Sequence, residues 1–464
     1  MGVSGRWSGR ATLPLRAGLT VGGLLFAAAC AGAGAVGGGS GQVVTVAVVS
    51  NPQMADIQSL TSVFEKQHPG VRVKYVSLPE NEARDKITQA VATHSGVFDV
   101  VMISNYETPI WARNGWLTDL QSRADSTPGY DPGDILPNIR KSLQYRGHLY
   151  SVPFYGETSV LMYRKDIFAR HHLHMPAHPT WRQVARFAHK LNDPKHDRAG
   201  ICLRGKPGWG EIWAPLNTVV NTFGGRWFDP GWHATLDSPQ VGRAVNFYTN
   251  LVRTSGEPGA ATSGFTECLT DYSQGNAAMM YDSTAAAGTL EDPSSSRVVG
   301  KTGYVAAPVE KTAHSGWLYT WSLGIPKTTK NKDAAWQYAQ WATSKQYISL
   351  VGHRLGWTRL PPGSRASTYE LPQYQKVAGA FAKPTLDGIS HADQSHATVQ
   401  KVPYSGIQFV DIPEFVDLGT RTSQQLSAAI AGQESVPAAL RQSQEYARTV
   451  AESYRASSGS GDQP

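Results

Sequence analysis

Cysteine is scarce. Three stand in 464 residues, at positions 30, 202 and 268, and none falls in a CxxC or Cys/His spacing, which leaves no metal site legible in the sequence and no disulfide-scaffold fold. Charged side chains are also few, at 17%, and no run of Lys and Arg resembles a nucleic-acid footprint. The formal charge is +7, of which Arg6, Arg10 and Arg16 carry three; the other four are dispersed as a solvated surface. Long apolar runs are missing too, because the stretch at about 19–29 is too short to span a bilayer. What is present is a globular composition, 41% hydrophobic, in a chain long enough for two or more folding units.

The first residues follow a separate logic. Three arginines, then an apolar stretch, then small residues form an export signal over 1–29. FAAAC, ending at Cys30, resembles a bacterial lipobox, with alanine where leucine is usual three places before the cysteine. Lipidation at Cys30 would hold the chain at a membrane surface, and residues 30–42, rich in Gly and Ala, would be a lipid-anchored flexible tether. An ordinary signal cut nearby is the alternative. Setting Cys30 aside leaves Cys202 and Cys268, an even pair in an oxidising compartment, for which a disulfide is expected over two buried thiols.

From residue 43 the chain alternates strand-like and helix-like segments at βαβ spacing. VVTVAVV (43–49), VRVKYVSL (71–78) and FDVVMIS (98–104) read as strands, with helical periodicity over 54–67 and 81–93 between them. Such alternation predicts an open parallel sheet whose strand ends share one edge, where ligands bind. Asn51, Glu80 with Asn81, and Asn105-Tyr106-Glu107 each stand just past a strand end. A turn or a helix start explains any one of them; three converging on one rim predict a site.

GHLYSVPFYGET (147–158) reads as a β-hairpin arm leading to a crossover. A second α/β pattern follows, with helices near 180–192, 213–223, 240–254 and 266–275, returning strands at 301–309 and 316–326, and a helix at 333–344. The expected architecture is therefore α/β and two-lobed. One lobe comprises 43–152 with 300–328, the other 153–299 with 329–455, and 456–464 is a disordered tail.

The signal, the tether and TVAVVSNPQM, FEKQHPGVRVKYV and FDVVMISNYETPIWARNGWLTDL resemble the bacterial ABC-transporter extracellular solute-binding proteins of the carbohydrate type. The resemblance covers about 43–450. YETPIW, PFYGET, ICLRGKPGWGE, GGRWFD, MMYDSTAAAG, WLYTWSLGIP, GWTRLPPGSR and VPYSGIQFVDIPEF are similar to the branch that binds sorbitol and mannitol. The resemblance implies a periplasmic-binding-protein-like (type II) clam-shell with a hinge and an interlobe cleft. It further implies a polyol or sugar as ligand, permease subunits of an ABC importer as partners, no cofactor, and a monomer at the outer face of the cytoplasmic membrane. Pro79-Glu80, where the family carries two carboxylates, and Tyr319, where it carries a second Trp, depart from the pattern and leave the exact ligand open.

A polyhydroxylated ligand calls for carboxylates and amides to take hydroxyls, guanidinium groups to donate, and rings to cover C–H faces. The candidates are Asn51, Glu80, Asn81, Tyr106 and Glu107 from the first lobe, and Tyr155 and Glu157 at the crossover. Arg204, Trp209, Glu211 and Asp282 come from the second lobe, with Trp317, Trp321 and Arg359 from returning segments. Trp317 and Trp321 share a strand face and are as readily core. Trp209, set among glycines and a proline, is expected to be exposed. Trp111, Trp116, Trp181, Trp336 and Trp341 are expected in the core, and His171, His172, His174 and His178 in a solvated loop. Within the binding class the alternative is a disaccharide or oligosaccharide carrier for trehalose or maltose. Outside it, a secreted glycoside hydrolase would need a carboxyl pair such as Glu107/Glu211 or Glu157/Asp282 about 5–10 Å apart; no compact acid or nucleophile motif is present, and the chain is not expected to be an enzyme.

Overall fold

The computed structural model describes residues 41–459. The export signal over 1–29, Cys30 and the tether up to residue 40 lie outside the described residues, as do residues 460–464. No described helix is long and apolar enough to cross a membrane.

Ten strands form the framework: β1 (Gln42–Val49), β2 (Val71–Leu78), β3 (Val100–Ser104), β4 (Gln144–Tyr145), β5 (His148–Leu149), β6 (Ser151–Glu157), β7 (Ser159–Arg164), β8 (Met279–Ser283), β9 (Thr302–Ala306) and β10 (Tyr319–Gly324). The first sheet has the order β2-β1-β3-β10-β6 and the second β8-β7-β9, while β4 and β5 make a separate two-residue ribbon. β1 pairs parallel with β2 and β3. β10 runs antiparallel to both β3 and β6. The first sheet is therefore mixed, and the single reversed strand matters: its beginning lies where its neighbours end. Tyr319 stands opposite Glu157, and Trp321 opposite both Ser104 and Tyr155.

Local chemistry fixes the strand ends. Asn51 caps the helix Pro52–Gln67 by accepting from the Met54 N–H at 2.9 Å, and Pro52 occupies the first helical turn where its missing N–H is harmless. Asn105 accepts from the Thr320 N–H at 2.8 Å and so ties β3 to β10. The covering helices explain why β1 and β3 read as continuous apolar runs; Phe64, from the helix after β1, meets Tyr338 edge-on at 5.6 Å.

In the second sheet β7 is central and antiparallel to both partners, with Val160 opposite Asp282 and Ala306. Residues 199–202 run beside β8 through parallel bridges Ala199 to Ala277 and Cys202 to Met280. That brings Arg204 level with Asp282. Cys202 is disulfide-bonded to Cys268, with Cα atoms 5.5 Å apart.

Several expected boundaries change. The chain passes between sheets at Thr158, so all of β6 belongs to the first sheet. Residues 147–158 do not form a hairpin arm: only His148–Leu149 pairs locally, and β6 pairs with β10. β9, placed by sequence in the first lobe, pairs with β7 in the second. The helices Lys332–Ala342 and Lys345–Arg354, placed in the second lobe, lie on the first sheet, where Tyr347 meets Phe154 at 5.8 Å. The chain then returns, and the Trp213 indole donates to Thr422 in helix Phe415–Ile430 at 2.9 Å. Strand and helix signals carry no record of which sheet they join, which is why these assignments failed while the elements themselves were found. The last helix, Val436–Gly459, runs into the segment read as a tail at 456–464, and β1 opens at Gln42, inside the expected tether.

Candidate ligand-binding cleft

A cavity of about 230 Å³ lies between the two lobes. From the first lobe Asn51, Glu80, Arg84, Tyr155, Glu157, Tyr319 and Trp321 line it; from the second come Arg204, Lys206, Glu211, Phe265, Thr266, Glu267 and Ser283, with Gln408 and Phe409 closing it. Half of the fourteen sequence-derived candidates are thus brought together: Asn51, Glu80, Tyr155, Glu157, Arg204, Glu211 and Trp321.

Each lobe presents a guanidinium held by carboxylates. In the first lobe Arg84, only 5% exposed, donates to Glu80 at 3.0 and 2.8 Å, to Glu107 at 3.0 Å and to the Tyr319 hydroxyl at 2.7 Å. Its guanidinium lies 4.2 Å from the Trp209 ring and 4.5 Å from that of Trp321. In the second lobe Arg204 grips Asp282 through two bonds of 2.8 and 2.6 Å, donates to the Gly210 carbonyl at 3.2 Å, and stands 3.6 Å from Glu211. Lys206 is 3.5 Å from Glu211 and 3.8 Å from Glu267. The Asn51 amide donates to the Tyr155 hydroxyl at 3.0 Å, which leaves that hydroxyl's proton for a ligand.

Burial pushes the Glu157 carboxyl up to about 8; Ser283 and Arg204 oppose this, and Asp282 and Glu80 add to it. Burial, reinforced by Glu80, likewise raises Glu211 to about 7 against the pull of Arg204 and Lys206. At neutral pH Glu157 is therefore mainly protonated and can donate as well as accept. Because its folded pKa is above the ordinary value of 4.5, the native state keeps a proton that the unfolded chain releases. Its contribution to stability is full below about pH 4.5 and is lost as pH rises through 8. Melting of the ligand-free protein is expected to fall from pH 5 to 9. In Glu157→Gln that slope flattens, by at most about 1.4 kcal/mol per pH unit; an unchanged slope would show that Glu157 is ionised in the fold.

The other candidates lie elsewhere. Trp209 is 3% exposed and does not line the cavity. The expected exposure is overturned because its ring is wedged between Arg84 and the rings of Phe409 at 4.9 Å and Tyr106 at 5.0 Å. Trp317 is 0% exposed. It precedes β10 and turns toward Tyr281 of the second sheet, so strand alternation does not govern it. Arg359 stands outside the cavity, bonded to Asp56 of the first helix and, at 3.2 Å, to Asp292 beyond β8. Glu107 and Asp282 lie behind Arg84 and Arg204; Glu107 also accepts from the Ser104 N–H at 2.9 Å and from its hydroxyl. Asn81 donates to the Pro207 carbonyl at 3.0 Å and Tyr106 to that of Ile412 at 2.7 Å, fastening one lobe to the other. Each carboxyl pair considered for hydrolysis, Glu107/Glu211 and Glu157/Asp282, thus has one member facing away from the cavity. Sequence reasoning missed Arg84, although its spacing of four from Glu80 on a helix was a legible signal. It also missed Lys206 and Gln408, for which no local signal existed.

Two α/β lobes that the chain crosses repeatedly, shut around a small polar cavity, define a ligand-capture protein of the clam-shell kind. The sequence profile of the bacterial extracellular solute-binding proteins matches residues 49–348, and the chain belongs to that family. It is 41% identical over 405 residues to a mannitol-binding protein of Pseudomonas aeruginosa, covering 87% of this chain and 92% of that one. Among solved structures, an ABC-transporter solute-binding protein of Agrobacterium vitis with bound D-mannitol superposes with a TM-score of 0.87 at 43% identity, covering 89% of this chain and 98% of the other. One from Agrobacterium radiobacter in complex with ribitol gives 0.77 at 26% identity, with 89% and 99% covered. These relatives are binding proteins.

Proposed function

We propose that the protein captures a sugar alcohol of hexitol size, such as mannitol or sorbitol, in the interlobe cleft and delivers it to the permease of an ABC importer. The carrying observation is the size and lining of the cavity. A cavity of about 150 Å³ accepts the six heavy atoms of benzene, so the 230 Å³ found here scales to roughly nine heavy atoms, nearer the twelve of a hexitol than the twenty-odd of a disaccharide. The polar wall supports an uncharged guest: Arg84 and Arg204 are already paired with Glu107 and Asp282 behind them, and Lys206 with Glu211 and Glu267, so no cation is left unpaired for an anionic one. Trp321 offers a ring to a C–H face. The mannitol- and ribitol-binding relatives support the same reading.

Enclosure is required by magnitude. A micromolar hexitol gains about −8 kcal/mol, or roughly −0.7 per heavy atom, inside the ceiling for very small ligands. Closure supplies that enclosure and gives the permease a shape to read. Lipidation at Cys30 would keep a monomer at the outer face of the membrane; detergent-phase partitioning of the exported protein checks it. The ligand assignment is tested by thermal shift and calorimetry. A hexitol at 100 times its Kd is expected to stabilise by about 2.7 kcal/mol. A melting point unmoved by hexitols but raised by trehalose or maltose would replace this reading with the disaccharide one.

A further inference from the structure

We propose that Gln408 is a ligand-contacting, specificity-determining residue whose carboxamide takes a hydroxyl of the bound polyol, donating with its NH₂ and accepting with its oxygen. This rests on the polyol reading of the cleft. Gln408 lines the cavity and is 5% exposed, yet its amide has no hydrogen-bond partner among the described residues. Its amide atoms are not among the fully enclosed ones left without a partner, so they stay accessible at the cavity wall, where the occupant of the cavity can complete them.

The chain around Gln408 is built to hold it there. The Ile407 carbonyl accepts from both Asn217 and Asn221 side chains at 2.9 Å. Asn217 is itself oriented, because its oxygen accepts from the Trp227 indole at 2.8 Å. Gly406 has φ +118°, and a Cβ at that position would stand 2.0 Å from the Phe409 carbonyl oxygen, so glycine is required for the turn. On the other side Phe409 is packed edge-on against Trp209 at 4.9 Å. The backbone is pinned before and after the residue, and the side chain is left uncommitted.

As an amide it is also without a rival in the cavity wall, where the other two-way groups are hydroxyls and the Glu157 carboxyl. Arg84 and Arg204 only donate, and ionised carboxylates only accept. The Asn51 amide is committed at both ends, to Tyr155 and to the Met54 N–H. Among the described residues Gln408 therefore supplies the cavity's one free amide, able to read a hydroxyl in both senses without adding charge.

The test is calorimetric titration of the full exported protein, wild type and Gln408→Leu, with D-mannitol and D-sorbitol, alongside melting without ligand. The leucine variant is expected to bind about 10- to 100-fold more weakly and to narrow the wild-type preference between the two epimers, while its ligand-free melting point stays within about 2 °C. Gln408→Glu, which keeps shape but loses the donor when ionised, is expected to bind progressively worse as pH rises. Wild-type affinity in the leucine variant, or an equal fall in its free and bound melting points, overturns the assignment and leaves the polyol reading intact. If the wild type itself takes no polyol, both readings fall together.

Discussion

Arg204→Met is expected to lower the ligand-free stability by about 3–5 kcal/mol and to abolish hexitol binding. The cause is not only the lost donor. Asp282, at the end of β8, holds Arg204 by two short bonds in a region where both side chains are almost wholly enclosed. Removing the cation strands a carboxylate away from water. The double variant Arg204→Met, Asp282→Leu removes both charges and is expected to regain most of the stability while still failing to bind. Urea denaturation and calorimetry on the two variants separate the roles. Were the double variant as unstable as the single one, packing would be the cause; were either variant to bind normally, Arg204 would lie outside the ligand's reach.

Trp209→Ala is expected to weaken hexitol binding by roughly 100-fold, about 3 kcal/mol. The ring touches Arg84 and Tyr106, which belong to the opposite lobe, and Phe409 on its own side. The contacts with the opposite lobe exist only when the lobes meet, so their loss falls on the closed state. The ligand-induced rise in melting point should therefore shrink by more than the ligand-free melting point drops. Equal drops with and without ligand would make Trp209 an ordinary core residue of the second lobe. The sequence reading expected exposure at this position; its glycine neighbours do serve a close approach, but of protein to protein. A Cβ on Gly208 would lie 2.4 Å from Asn81, and one on Gly210 would lie 2.7 Å from Arg84.

Elements were legible from periodicity: β2 spans the expected 71–78, and the helices Trp181–Leu191 and Pro239–Ser255 fall within a residue of their expected bounds. Asn51 and Glu80 were legible as rim residues because a parallel strand must end at the ligand edge. Tyr319 and Trp321 reach that same edge by an antiparallel route, which alternation cannot foretell. Arg359 was misread for a related reason. Its charge is real, but whether a guanidinium faces a cavity or ties the first helix to a loop beyond β8 depends on tertiary neighbours such as Asp56 and Asp292. Gln408 sits in a stretch with neither helical nor strand period, held by asparagines almost 200 residues away in sequence.

The Cys202–Cys268 bond links the segment that leads to Arg204 and Lys206 with helix Phe265–Gln274, whose first residues form the facing wall. One jaw of the clasp is thus covalently preassembled and needs no ordering when a guest arrives. The entropy lost on capture then falls on the swing between lobes rather than on the grip itself, so release toward the importer can proceed by parting the halves without dismantling either.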